Sequence, residues 1–229
     1  MNRIAALVAS CIASAALLAG PSAAQSPKTM MESPNTMMDH GFSGAEEWAK
    51  VFDDPGRDAS QKPREVIQAL ALKSDSVVAD IGAGTGYFAV RFARAAPKGR
   101  VYGVDVEPDM VKYLAKRAER EGLKNLTAVL AGADDPRLPE KVDLVVTVNV
   151  FHHLPDRERY FRNLRGSLKP GGRVAIIDHS MASREGPPRS MRISPERVKK
   201  ELKSAGYAFV QQHGFLPGQY FLVFRPAGS

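Results

Sequence analysis

One stretch limits what this chain can fold into: Val77-Val78-Ala79-Asp80-Ile81-Gly82-Ala83-Gly84-Thr85-Gly86-Tyr87-Phe88. An apolar, β-branched run ends at Asp80-Ile81, breaks into three glycines and then turns amphipathic. That is the pattern of a buried strand, a tight turn and the start of a helix. Glycine keeps Cβ out of the way, so backbone N–H groups of the turn can approach a ligand closely. The helix that follows presents its positive dipole end to whatever lies over the turn. A nucleotide-like ligand suits such a place.

The flanking sequence continues the alternation. Ala45–Phe52 has helical spacing, with Trp48 and Phe52 on one face, and Asp53-Asp54-Pro55-Gly56 is a turn. Pro63 opens a second helix that ends near Lys73, and this two-helix preamble is expected to cover an edge of the domain or its pocket. Strands are expected at Ser76–Ile81, Arg100–Val106, Leu126–Leu130, Val142–Asn149 and Arg173–Asp178. Helices are expected at Gly86–Ala95, Pro108–Glu121, Arg157–Leu168 and Pro195–Ala205. Ala208–Gln212 and Tyr220–Arg225 form a closing hairpin. The expected fold is α/β: a Rossmann-like, doubly wound, mainly parallel seven-stranded sheet with a C-terminal antiparallel hairpin. Ligands of such sheets lie beyond the carboxyl ends of the strands, so the residues just after each strand carry the functional reading.

A dinucleotide fingerprint needs its third glycine at position 87, where this chain has Tyr87; the glycine falls at 86 instead. Asp80 would set a negative charge beside phosphates, yet it can accept a hydrogen bond from an ammonium group. Asp105 ends the second strand 19 residues after Gly86, the usual distance for an acid that accepts from ribose hydroxyls. Asp134 and Asp135 follow the third strand; one could accept from an adenine amino group while the other stabilises the turn into Pro136. The fourth strand ends in Val148-Asn149-Val150-Phe151-His152-His153-Leu154, and the fifth is introduced by Lys169-Pro170-Gly171-Gly172 and ends at Asp178-His179.

In order and spacing, Asp80 to Gly86, Gly103-Val104-Asp105 with Met110, Phe151-His152-His153-Leu154 and Lys169-Pro170-Gly171-Gly172 resemble a class I S-adenosylmethionine-dependent methyltransferase. The resemblance covers roughly Asp53 to Arg225, and the opening stretch is similar to that of small exported bacterial proteins of this superfamily. It implies S-adenosylmethionine as cofactor. Gly82, Gly84 and Gly86 would carry its methionine part, with Asp80 near the amino group. Asp105 would bind the ribose, Asp134 or Asp135 the adenine edge, and Asn149 would lie near the sulfonium centre. Methyl transfer then needs positioning and exclusion of water, and a base only where the acceptor carries a proton. His152, His153 and His179 are the candidate bases. His152 and His153 read first as architectural, since the His-His-Leu pattern accompanies very different substrates. Arg184, Arg189 and Arg192 lie on a loop that could steer an anionic acceptor or simply be solvated.

The amino terminus reads differently from the rest. Met1-Asn2-Arg3, an uncharged run from Ile4 to Gly20 and Pro21-Ser22-Ala23-Ala24 form a signal-peptide pattern with a cut expected after Ala24 and export to the periplasm. Residues 25–44, with a twofold Ser-Pro…Met-Met repeat, read as a poorly ordered leader, and the domain occupies 45–229. Cys11 is the single cysteine, so the mature chain has no thiolate for metal binding or nucleophilic catalysis, and no metal site is expected. That argues against cytosine-carbon methylation and thiol-dependent arsenite methylation. Absence of Asn-Pro-Pro-Tyr after the fourth strand argues against amino-methylation of DNA bases. The formal charge of +7 is scattered along helices among acids, so no nucleic-acid partner is expected, and the mature chain carries no stable membrane span. Methyl transfer to a small molecule is the leading reading. The alternatives are an S-adenosylmethionine-binding protein without turnover and a nicotinamide-dependent oxidoreductase. The sequence names neither the methyl acceptor nor the oligomeric state.

Overall fold

The computed structural model describes residues 44–228. The signal-peptide pattern, Cys11 and the methionine-rich repeat lie outside the described residues. The described chain forms one sheet from β1 (Val77–Ile81), β2 (Arg100–Asp105), β3 (Leu126–Leu130), β4 (Val142–Val148), β5 (Leu168–His179), β6 (Tyr207–His213) and β7 (Gln219–Pro226). The strand order is β3-β2-β1-β4-β5-β7-β6. Neighbours from β3 to β5 pair in parallel, and β7 runs antiparallel to both β5 and β6. The order reverses between β1 and β4, which makes the carboxyl ends of those strands the natural ligand crevice. The expected α/β sheet with its closing hairpin is what the chain forms.

The helices are α1 (Ala45–Phe52), α2 (Arg57–Gln61), α3 (Pro63–Leu70), α4 (Ala89–Ala95), α5 (Pro108–Arg120), α6 (Arg157–Leu164) and α7 (Pro195–Ser204). Both faces of the sheet are covered, and for that reason β1 is buried at all five positions. Alternation sorts its side chains. Val77, Ala79 and Ile81 join Phe161, Leu164, Val198 and Leu202 of α6 and α7 in one core. Val78 points the other way, into a second core with Val66, Leu70, Phe92 and Leu114 of α3, α4 and α5. Pro195 sits at the first turn of α7, and Ser194 caps that helix by accepting from the Arg197 N–H at 3.3 Å.

Element boundaries depart from expectation where the backbone makes a specific move. The helix expected to reach Lys73 stops at Leu70, because Ala71 turns left-handed at φ 48°. Helix α6 stops at Leu164 and gives way to a 3₁₀ turn at Arg165–Ser167. Strand β5 begins at Leu168 instead of Arg173: Leu168 pairs with Val142, and Lys169 to Gly172 then bulge out before pairing resumes between Arg173 and Leu144. The extra short helix α2 follows the turn at Asp53 to Gly56.

One side chain joins three of these elements. Leu114 of α5 rests one methyl over Gly86 in the turn and the other over Gly103 in β2; a Cβ at either glycine would come within 2.3 Å of it. The helix can therefore lie close on both the strand and the turn. Gly103→Ala is expected to lower stability by ~1–3 kcal/mol through overpacking. Combined with Leu114→Ala, the loss should be smaller than the sum of the two single losses, a coupling that denaturant unfolding of the four proteins would measure.

Candidate active site

Asp80 pairs in register with Gly103, and Asp105 ends the neighbouring strand two residues further on. The turn between them folds back onto β2, with the Gly82 and Ala83 N–H groups both donating to the Val104 carbonyl at 2.7 and 3.0 Å. Gly82 and Gly86 need their left-handed backbones (φ 71° and 96°), and a Cβ on Gly82 would overlap Val150. Asp105 then fixes the turn with its own carboxylate. Its Oδ2 accepts from the Gly84 N–H at 2.8 Å and its Oδ1 from the Glu107 N–H at 3.0 Å.

Asp80 is 3% exposed. Burial, and then the neighbouring charge of Asp105, push its pKa up to about 8. Burial also raises Asp105, against the lowering effect of its backbone N–H donors. Among the described residues no basic side chain forms an ion pair with either carboxylate. The turn thus carries two close carboxyl groups that no basic side chain pairs with, which suits a ligand that brings an ammonium group.

The preamble closes over this turn. The Phe52 ring lies against the open side of Gly84, and Trp48 stacks on Phe52 with centroids 5.2 Å apart. Next along the chain, Asp53 accepts from Arg117 Nη1 of α5 at 2.7 Å and from the Thr85 hydroxyl at 3.1 Å. Arg117 also donates to the Thr85 carbonyl at 3.1 Å. Both partners of this ion pair are largely buried, so it anchors the preamble more firmly than a surface pair would. The sequence pattern placed the preamble near the pocket; Asp53 and Arg117, 64 residues apart, carried no signal of their pairing.

At the ends of β4, β5 and β7 the structure gathers the three histidines. His152 Nδ1 lies 2.8 and 2.9 Å from the two oxygens of Asp178, whose Oδ2 also accepts the His152 N–H at 3.1 Å. The His152 ring lies 4.1 Å from that of His153 and 6.2 Å from that of His179, between centroids. With an ionised Asp178, Nδ1 is the protonated nitrogen and Nε2 the acceptor. The His152 side chain is only 2% exposed, so it ties the turn after β4 to the end of β5. The sequence pattern carries no sign of this role for Asp178 beyond its position at a strand end. His179 is half-buried beneath Gly186, and burial holds its pKa down to about 4, with Asp178 opposing that shift and His152 reinforcing it. At neutral pH its ring is uncharged and accepts hydrogen bonds; a group of such low basicity is a weak proton acceptor.

Asn149 lies at the end of β4 with φ 58°, and its side-chain oxygen accepts from Gln219 Nε2 of β7 at 2.8 Å. Asp134 and Asp135 are both exposed. Asp135 closes its turn by accepting from the Arg137 N–H at 2.8 Å, and Asp134 pairs with Arg159 at 2.8 Å. Of the three loop arginines, Arg192 grips the carbonyls of Ser180, Ser183, Glu185 and Pro187, whereas Arg184 and Arg189 are exposed.

The electrostatics of Asp80 have a measurable consequence. The folded protein keeps this proton to about pH 8, whereas an unfolded chain loses it near the ordinary value of 3.8. Stability contributed by the protonated form is therefore lost as pH rises between these values, and the loss is complete above pH 8. Asp80→Asn removes the burden. It should raise Tm above pH 8 by ~2–4 °C or more, the response to ~1 kcal/mol in a domain of this size, as followed by circular dichroism.

Comparison with known proteins agrees with this geometry. A family described as "Methyltransferase domain" matches residues 72–214. Trans-aconitate 2-methyltransferase of Rhodopseudomonas palustris is 32% identical over 132 residues, which cover 58% of this chain and 48% of that protein. Arsenite methyltransferase of Halobacterium salinarum is 31% identical over 110 residues, 47% of this chain and 28% of that protein. The chain thus spans about half of the first relative and less than a third of the second. A SAM-dependent methyltransferase from Aquifex aeolicus superposes with a TM-score of 0.73 at 26% identity, over 79% of this chain and 97% of that one. The family match runs from just before β1 into the closing hairpin and takes in the glycine turn, both carboxylates and all three histidines. The chain belongs to the methyltransferase-domain family.

Proposed function

We propose that this protein transfers a methyl group from S-adenosylmethionine to a small-molecule acceptor. The observation that carries the reading is the buried pair Asp80 and Asp105, set beside the glycine turn with no basic side chain in ion pair with either among the described residues. S-adenosylmethionine brings a sulfonium and an ammonium, so it fits the charge of this turn; a dinucleotide, with its pyrophosphate, does not. Bound there, the cofactor supplies an electrophilic methyl group on a positive sulfur. Asp80 would accept from the ammonium. Asp105 would use the lone pairs left by Gly84 and Glu107 to hold the ribose hydroxyls. Asn149, held by Gln219 just past the end of β4 beside the switch in strand order, would lie near the sulfur. The adenine edge falls to the loop of Asp134 and Asp135. The helical preamble covers the turn and excludes water, which favours the in-line geometry that transfer needs.

The acceptor side is framed by His153, His179 and the loop that Arg192 holds together. Where the acceptor carries a proton, the neutral rings of His153 and His179 are placed to accept a hydrogen bond from it, and burial leaves both weak as bases. A small molecule suits this side; the name of the Rhodopseudomonas palustris relative likewise denotes a small acceptor. The signal-peptide pattern supports work outside the cytoplasm, as a small exported, periplasmic member of the family. Among the described residues no helix is long and apolar enough to cross a membrane.

Calorimetry with S-adenosylhomocysteine tests the cofactor assignment. Binding is expected, and Asp105→Ala should weaken it by ~1.5–3 kcal/mol, the range for hydrogen bonds to a charged acceptor. No binding at millimolar ligand would refute the assignment. Because Asp80 keeps its proton to about pH 8, taking up an ammonium beside it at pH 7 should expel that proton. Titrations in buffers of different ionisation heat should show about one proton released per site, and none in Asp80→Asn. For export, sequencing the amino terminus of periplasmic material should read from Gln25; an uncut chain confined to the cytoplasm would contradict it.

A further inference from the structure

Arg57 opens α2, in the preamble that precedes the family match. Its guanidinium is half-buried and lies 4.2 Å from the centre of the Tyr87 ring, while Nη1 donates to the Phe52 carbonyl. Both neighbours belong to the cofactor turn: Tyr87 follows Gly86 directly, and Phe52 rests on Gly84. The charge is also felt across the crevice. At His179, where burial dominates, Arg57 is among the smaller influences that lower the pKa.

Every acid near Arg57 is engaged elsewhere. Asp58 pairs with Arg91 at 2.9 Å and accepts from the Tyr87 hydroxyl. Asp53 holds Arg117 and Thr85. Asp54 accepts from the Gly56 N–H at 2.7 Å. Among the described residues, no carboxylate forms an ion pair with Arg57. A half-buried guanidinium without a counter-ion is costly, and burial does hold its pKa below the ordinary value. Its planar fork matches a carboxylate, and only one nitrogen is taken up by Phe52.

We propose that Arg57 binds the carboxylate at the amino-acid end of the cofactor, so that the preamble and the turn together hold a zwitterion: Arg57 takes its negative group and Asp80 its positive one. This rests on the S-adenosylmethionine reading above. The surroundings favour the cofactor over an acceptor as the source of the carboxylate, because Phe52 and Tyr87 place the guanidinium against the glycine turn.

The test is calorimetry on the full protein with two ligands, S-adenosylhomocysteine and its decarboxylated analogue, which keeps the amine and lacks the carboxylate. The unaltered protein should prefer S-adenosylhomocysteine by ~10–100-fold, as expected for charge-assisted hydrogen bonds. Arg57→Met should abolish that preference by weakening S-adenosylhomocysteine alone. Arg57→Lys, which keeps the charge and loses the fork, should fall between the two. Arg91→Met removes the neighbouring guanidinium, 4.0 Å from the same Tyr87 ring, and should leave the preference intact. A preference that survives in Arg57→Met overturns the proposal and turns attention to an acceptor carboxylate. So does an equal loss of both ligands in Arg57→Lys, which marks a structural role. If the unaltered protein binds neither ligand, the cofactor reading itself fails and takes this assignment with it.

Discussion

Asp80 and Asp105 leave adjacent parallel strands at the same end, and the described residues offer neither of them a cation. Much of the crevice follows from that arrangement. A glycine turn before a helix is ordinarily a place for an anion, because its N–H groups converge there. Here the Gly84 N–H is given to Asp105, and those of Gly82 and Ala83 to the Val104 carbonyl. The turn is shaped by contacts within the protein, and beside it stand two carboxyl groups with no ion-pair partner among the described residues. The same three glycines that would cradle a phosphate elsewhere serve here to let side chains close in: Val150 on Gly82, Phe52 on Gly84 and Leu114 on Gly86.

This shifts weight onto the segment ahead of the sheet. Residues 45–61 lie before the family match, yet they supply the aromatic cover of the turn and the buried Asp53–Arg117 pair that fixes it. The carboxylates lie inside the matched family segment, and the cover lies ahead of it.

Much of this was legible in the sequence, because it is written locally. The strand-helix alternation, the turn, Asp105 at the end of β2 and the closing hairpin all rest on patterns a few residues long. What escaped are moves that depend on distant partners. Asp178 meets His152 across 26 residues, and Gln219 meets Asn149 across 70. A break such as Asp53-Asp54-Pro55-Gly56 announces a turn but not the five-residue helix beyond it, and so Arg57 carried no signal. Helix α3 ended early because Ala71 adopts a left-handed backbone, which alanine rarely does and no propensity foretells. Strand β5 began early because Leu168 pairs with Val142 ahead of Lys169-Pro170-Gly171-Gly172, a turn signal by composition that bulges out of the pairing. The adjacent acids Asp134 and Asp135 could not be told apart beforehand; the structure gives Asp135 the turn and Asp134 a surface pair.

Strand β7 comes last among the seven, yet it does not lie at the margin of the sheet. It fills the space between β5 and β6, pairing with β5 from Val174 to His179. A chain emerging from its amino end can join β1 to β5 as they appear, but the backbone edge of β5 stays open until residues 219–226 arrive. Phe221, Leu222 and Phe224 then seal both cores at once, since they fall in the two different clusters. The sheet is therefore closed only when its last strand is in place, and until then the edge of β5 is a template for any other strand.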